Sequence, residues 1–179
     1  GASGLYTANI IVDTTAPSAP TATLTSTDSG TSGDRVTNVA PVLGVTAEAG
    51  STVAVTATKD GSAFTLNTGL SSISGTGSAV SWTPLGASGA ALADGVYIFS
   101  FTQTDSAANV QSTASTLTVT VDTTAPTSTT VSLTSTDSGT SGDRVTNVAP
   151  VLGVTAEAGA TVAVTATKDG SAFTLNTGL

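Results

Sequence analysis

Residues 24–70 return as residues 133–179, an offset of 109 positions (133 − 24). Across those 47 paired positions only one differs: Ser51 becomes Ala160. The hexapeptide VDTTAP at 12–17 recurs at 121–126 with the same offset. The 179-residue chain therefore holds one full period and a 70-residue overlap. Solenoid repeats run to ~20–50 residues. A period of 109 is instead the size of one antiparallel sandwich domain of ~100 residues.

VDTTAP reads as the seam between modules. Proline removes a donor and pushes the residue before it to extended geometry, so the segment is not helical. The seam is also short, which favours close, nearly rigid neighbours over a floppy Gly/Ser tether.

Strands and turns alternate within the period at sandwich spacing. The expected strands are 19–26, 40–47, 52–58, 63–67, 79–83, 96–104 and 116–121, with Trp82 on the fifth. Residues 28–38 (DSGTSGDRVTN) form a loop dense in turn residues. Lys59-Asp60-Gly61 is a hairpin turn. A Gly/Ser stretch reaches to Ser78. Val53, Val55 and Ala57 share one face, as do Tyr97, Phe99 and Phe101, and Leu117, Val119 and Val121. That period of two marks half-buried antiparallel strands, with the aromatics in the core. The expected domains are 1–12, the last strand of a preceding module (8–12 being strand-like); 13–121, a complete module; and 122–179, the first half of a following one. Gly1 reads as an internal cut. The open half at 127–179 leaves an exposed edge, which either a longer chain or strand addition from a neighbouring chain completes.

Composition narrows function. Thr, Ser and Val supply a β-branched, half-polar surface, and 39% hydrophobic residues are enough for a core. Four bases, Arg35, Lys59, Arg144 and Lys168, stand against twelve acids, for a net charge of -8. No basic patch for nucleic acid is possible with so few. There is no His and no Cys. The commonest general base, the usual zinc ligands and any disulfide scaffold are therefore missing. No Ser sits in a G-x-S-x-G elbow, and near-identical modules in tandem argue against a unique active site, so no catalysis is expected. No apolar run approaches the ~20 residues of a membrane helix.

Several landmarks together carry a resemblance. They are the VDTTAP seam; Asp28-Ser29-Gly30 followed by Asp34 and Thr37-Asn38; Ala47-Glu48-Ala49-Gly50; Asp94-Gly95-Val96-Tyr97; and Asp105 to Asn109. In this order the chain resembles the bacterial immunoglobulin-like repeats of giant surface adhesins and biofilm-associated proteins. The resemblance covers essentially the whole chain. It implies an all-β fold of tandem immunoglobulin-like antiparallel β-sandwiches with Greek-key connections. It also implies an extracellular, bacterial cell-surface, calcium-stiffened rod that holds a cell to a surface or to other cells, with neighbouring identical modules as partners. The chain departs from the family's D-x-A-G-N turn at Ala108, where the family has Gly, and residues 71–78 are longer and richer in Ser and Gly.

Calcium wants six to eight oxygen ligands. Sandwich topology puts alternate loops at opposite poles. Asp13, Glu48, Asp105 and Asn109 are expected to share the pole facing the preceding seam. Asp28 and Asp34 are expected to approach Asp122 at the other, with Glu157 arriving from the following module. The same residue types also cap turns through side-chain-to-backbone bonds, and Asp60 and Asp169 are hairpin-turn residues of that kind. Two alternatives to an adhesin rod stand beside it. One is a subunit of an extracellular filament or sheath completed by strand addition. The other is a carbohydrate- or ice-binding β-module, suggested by the Thr rows 52–58 and 116–120. Tyr6, Tyr97 and Trp82 are the aromatics such binding would draw on, the last two being core by pattern.

Overall fold

The computed structural model describes Gly4 and residues 7–175. It divides into two compact units, Gly1–Thr124 and Ala125–Leu179, and each is described by itself. Tyr6 and Leu179 lie outside the described residues.

The first unit is a two-sheet sandwich. One sheet runs β1 (Thr21–Leu24), β3 (Leu43–Thr46), β7 (Ala79–Trp82). The other runs β2 (Val36–Thr37), β9 (Ser115–Val121), β8 (Gly95–Thr104), β4 (Thr52–Lys59), β5 (Ser62–Phe64). The free edge of β4 is shared. Its C-terminal half pairs with β5 and its N-terminal half with β6 (Ser72–Ser74), a 3-10 turn at Thr68–Leu70 lying between the two. The chain crosses between sheets from β1 to β2 and back to β3, then from β3 to β4, from β6 to β7 and from β7 to β8, as in the Greek-key connections of immunoglobulin-like sandwiches.

The alternation read from the sequence decides which side chains enter the core. Val53, Val55, Ala57, Tyr97, Phe99, Phe101, Leu117, Val119 and Val121 are all buried, and the three-stranded sheet adds Leu43, Val45 and Trp82. Trp82 stands edge-on to Phe99, 5.6 Å between centroids, and Tyr97 stacks on Phe99 at 6.1 Å. Polar tips find partners inside: Trp82 Nε1 donates to the Leu70 carbonyl at 3.2 Å, and the Tyr97 hydroxyl to the Ala93 carbonyl at 2.8 Å. The second bond, from the start of β8 back to the loop before it, is a tyrosine corner. Thr52, Thr56, Thr116 and Thr118 face solvent.

Three expectations need correction. Residues 28–38 are not all loop, because Val36–Thr37 pairs in parallel with Thr120–Val121 of β9 and buries Thr37 completely. The Gly/Ser stretch contains β6. It is drawn against β4 because Gly75 lets the chain approach the Glu48 carbonyl and Ser51 hydroxyl where a Cβ would collide. Residues 8–12 form no strand; Ile11 is 91% exposed. A strand is stabilised only by a neighbour, and none of the described residues pairs with this stretch.

The second unit repeats the first sequence in a different setting. β10 (Thr130–Leu133) pairs with β11 (Leu152–Thr155) in the register of β1 with β3. β12 (Ala166–Lys168) and β13 (Ser171–Phe173) repeat the end of the β4–β5 hairpin. No counterparts of β7, β8 or β9 lie among the described residues of this unit. Leu152 is consequently 55% exposed where Leu43 is 0%, and Val164 58% where Val55 is 4%. The segment matching the first five residues of β4 forms no strand at all.

The buried ring at the centre of β8 therefore holds the sandwich together. Phe99→Ala is expected to cost about 3–5 kcal/mol, the usual range for emptying a fully buried aromatic site. Urea unfolding of the 179-residue chain, followed by Trp82 fluorescence, reads it as a lowered midpoint.

Candidate functional site at the module poles

The seam makes the same local hydrogen bond at both of its occurrences. Asp13 Oδ1 accepts from the Thr15 amide at 3.0 Å, and Asp122 Oδ1 from the Thr124 amide at 3.1 Å. Both are Asx turns, in which a short carboxylate captures the amide two residues on.

At the entry pole, the turn after β8 is closed by its own first residue. Asp105 Oδ1 accepts from the Ala107 and Asn109 amides at 2.9 and 2.8 Å, and Oδ2 from Asn109 Nδ2 at 2.9 Å. The same Asn109 amide group donates to the Asp13 carbonyl at 3.1 Å, tying the seam to the turn. The Asn109 side chain, and then the two amides, hold the Asp105 carboxyl below the usual aspartate value. Ala108, the departure from the family turn, sits at φ 67. That is the left-handed region which glycine adopts without strain and alanine does not.

The exit pole holds a residue that sequence reasoning quoted only as part of a motif. Asp94 Oδ1 accepts from the Thr123 amide at 2.9 Å and the Thr123 hydroxyl at 2.8 Å. Its Oδ2 accepts from the Thr124 hydroxyl at 2.6 Å. These bonds, led by the Thr124 hydroxyl, hold the Asp94 carboxyl below its ordinary value. The Asp122 amide donates to the Thr37 carbonyl at 3.0 Å, so the end of β2 also grips the seam. The signal for Asp94 was chemical: two adjacent threonines offer hydroxyl and amide donors that need an acceptor.

The other expected ligands fall as follows. Asp28 Oδ2 accepts from the Gly33 amide at 2.6 Å and Asp34 Oδ1 from the Val36 amide at 2.9 Å, both within their own loop. Asp28 Oδ1 is buried without a hydrogen-bond partner, and so is the matching Asp137 Oδ1 in the second unit. Glu48 lines a 320 Å³ cavity with Ser18, Ala19 and Thr21 rather than bonding to Asp105. In the second unit Glu157 Oε2 accepts from the Thr127 amide at 3.0 Å. Asp60 caps its hairpin by accepting from the Val96 amide at 2.9 Å. At the entry pole the Asp13 carbonyl oxygen and the Asp105 carboxylate are thus bridged by the Asn109 side-chain nitrogen, and Glu48 takes no part in that bridge. Among the described residues no three acidic side chains gather into a metal-holding group.

A two-sheet Greek-key sandwich with a tyrosine corner and hydrogen-bonded poles defines an immunoglobulin-like module. The family model of the bacterial Ig-like domain matches residues 14–123, and the chain belongs to that family. Such domains are generally non-enzymatic and are commonly found in surface or extracellular proteins. Neither the curated proteins nor the solved structures compared with the chain gave a match.

Two measurements probe these turns. Ala108→Gly is expected to raise stability by about 0.5–1 kcal/mol, relief of left-handed strain outweighing the freer unfolded chain. In a thermal melt this reads as a Tm higher by about 2–5 °C. The second follows pH. Asp94 and Asp105 have folded-state pKa values below the ordinary aspartate value of 3.8. Their stabilisation is therefore fully present above that value, and is lost as pH falls through it to the depressed folded values. Asp94→Asn is expected to flatten the acid limb of the stability–pH curve below about pH 4 while leaving the neutral region parallel to wild type.

Proposed function

We propose that this chain is a repeat segment of an extracellular adhesin or biofilm-matrix rod. Its modules supply reach and stiffness for cell-surface or cell–cell attachment and carry no catalytic site. The observation that carries this reading is the repeat of a surface-family sandwich at 46 of 47 positions. A binding or catalytic site needs one specialised module. A spacer needs many equivalent ones, each contacting only its neighbours. The partners are then adjacent identical modules, and the hydroxyl face of β4 and β9 is the solvent side of a sheet.

Calcium stiffening belongs to the same reading, with Asp13, Asp105 and Asn109 at one pole and Asp28, Asp34 and Asp122 at the other. The exit pole fits a cation better. Its loop buries an unpartnered carboxylate oxygen in both copies, whereas the Asp105 oxygens and the Asn109 amide already satisfy one another. Backbone carbonyls and water would complete the coordination, as in weak extracellular sites.

Arrays of increasing module number, imaged singly, test the rod. End-to-end distance is expected to grow in proportion to module number, and growth with its square root would mark a flexible string and end the proposal. Thermal melts of the 179-residue chain address the metal. Millimolar calcium is expected to raise Tm by mass action. Asp28→Ala with Asp34→Ala is expected to abolish that rise, while Asp60→Ala keeps it. No rise with calcium removes the metal and leaves the rod.

A further inference from the structure

The two poles grip different atoms of one hexapeptide. The 109-residue period makes Asp13, Thr14 and Thr15 equivalent to Asp122, Thr123 and Thr124. Within the first unit, Asn109 holds the carbonyl of the seam Asp at the entry. Asp94 holds the amide and hydroxyl of the first seam Thr and the hydroxyl of the second at the exit. The seam's own Asx turn uses the remaining groups, the Asp carboxylate and the second Thr amide. No atom is used twice, and the turn is the same at both occurrences. One seam can satisfy both grips at once.

From this we infer that in the tandem array every VDTTAP seam is clasped from both sides, by Asp94 of the module before it and Asn109 of the module after it. The joint is then stiff without metal. The inference takes its mechanical meaning from the rod reading but rests on these hydrogen bonds alone. Asp94 acts as a three-fold acceptor. Asn109 is the donor, and Asp105 is its positioning residue, fixing the amide by accepting from it at 2.9 Å. A charged acceptor strengthens each bond relative to a neutral pair. The seam has no glycine, and its proline limits the backbone further. Clasping such a segment costs less ordering entropy than clasping a Gly/Ser tether.

The present chain carries each half of the clasp separately, which supplies internal controls. The Asp94 counterpart for Thr14 falls before residue 1, and the Asn109 counterpart for Asp122 falls beyond residue 179. In excess chelator, the Thr123 amide is expected to exchange at least about tenfold more slowly than the Thr14 amide, a difference of ~1.4 kcal/mol in opening. Asp94→Ala is expected to bring Thr123 to the Thr14 rate, with the Phe99 and Val119 amides still protected as proof of folding. In a chain lengthened to two complete modules, the middle seam has both grips. Its backbone order parameters are expected near ~0.85 with chelator present, falling below ~0.6 when Asp94→Ala and Asn109→Ala are combined. Equal exchange at Thr123 and Thr14 in the wild-type chain overturns the inference. So does a middle seam that is ordered only with calcium, which leaves the rod standing as a metal-jointed one. A middle seam that is mobile with and without calcium overturns both.

Discussion

The sandwich depends on β8. It is the longest strand, and most of its ten residues pair with β4 on one side and with β9 on the other. Its main-chain donors and acceptors are therefore satisfied without water, and its alternate side chains can be large and fully buried. Tyr97, Phe99 and Phe101 form a column against which Trp82 from the other sheet stands edge-on. The second unit shows what happens to the same sequence in other surroundings. With no β8 counterpart among its described residues, the β4 equivalent keeps only three paired residues next to its turn. Valines that are core in one copy are surface in the other. A β-strand is half of an interaction, and residues 161–165 have the sequence of a strand without the other half.

The poles follow from a shortage of cations. With four basic residues against twelve acids, carboxylates seldom meet an ammonium or guanidinium. Lys59 with Asp60, at 3.5 Å, is the ion pair found among the described residues. Most of the other acids turn instead to backbone amides, threonine hydroxyls and one asparagine. Hydrogen bonds to the ionised form lower the pKa as an opposite charge would, and Asp94 and Asp105 are held down in that way. These bonds are also directional and short-ranged. Unlike surface ion pairs they are little weakened by salt.

Much of the fold was legible and the reasons are specific. The strands at 52–58, 79–83, 96–104 and 116–121 agree with β4, β7, β8 and β9 to within one residue at each end. The stretches 52–58 and 116–121 alternate polar and apolar residues, and 96–104 carries aromatics at the alternate positions 97, 99 and 101, so the period of two is plain. β2 and β6 are two and three residues long, too short to carry a period, and exist because the edges of β9 and β4 accept them. Residues 8–12 have strand composition, but composition is not pairing. At the poles, Asp105 and Asn109 were legible as a pair because the turn that joins them is local. Glu48 was expected beside them on topology alone, and instead lines the cavity with Ser18 and Ala19. Asp94 stands 29 and 30 residues from its threonines, a distance at which sequence spacing says nothing.

The near-identical copies separate what the sequence alone determined from what tertiary structure decided. The DSGTSGDRVTN loop is the same in both. Arg35 and Arg144 lie at φ 59 and 60. Asp28 and Asp137 capture the Gly33 and Gly142 amides at 2.6 and 2.7 Å. The Ser29 and Ser138 hydroxyls donate to Asn38 and Asn147 at 2.8 and 2.7 Å. The Asp-Gly hairpin turns and the register of β1 on β3 are likewise repeated. Most of these bonds close within a few residues, so their partners come with the chain wherever it lies. The pairing of β2, the first half of β4 and the burial of Leu43, Val53 and Val55 belong to one copy only. Those depend on strands tens of residues away that remove main chain and methyl groups from water together, and only the completed sandwich brings them there.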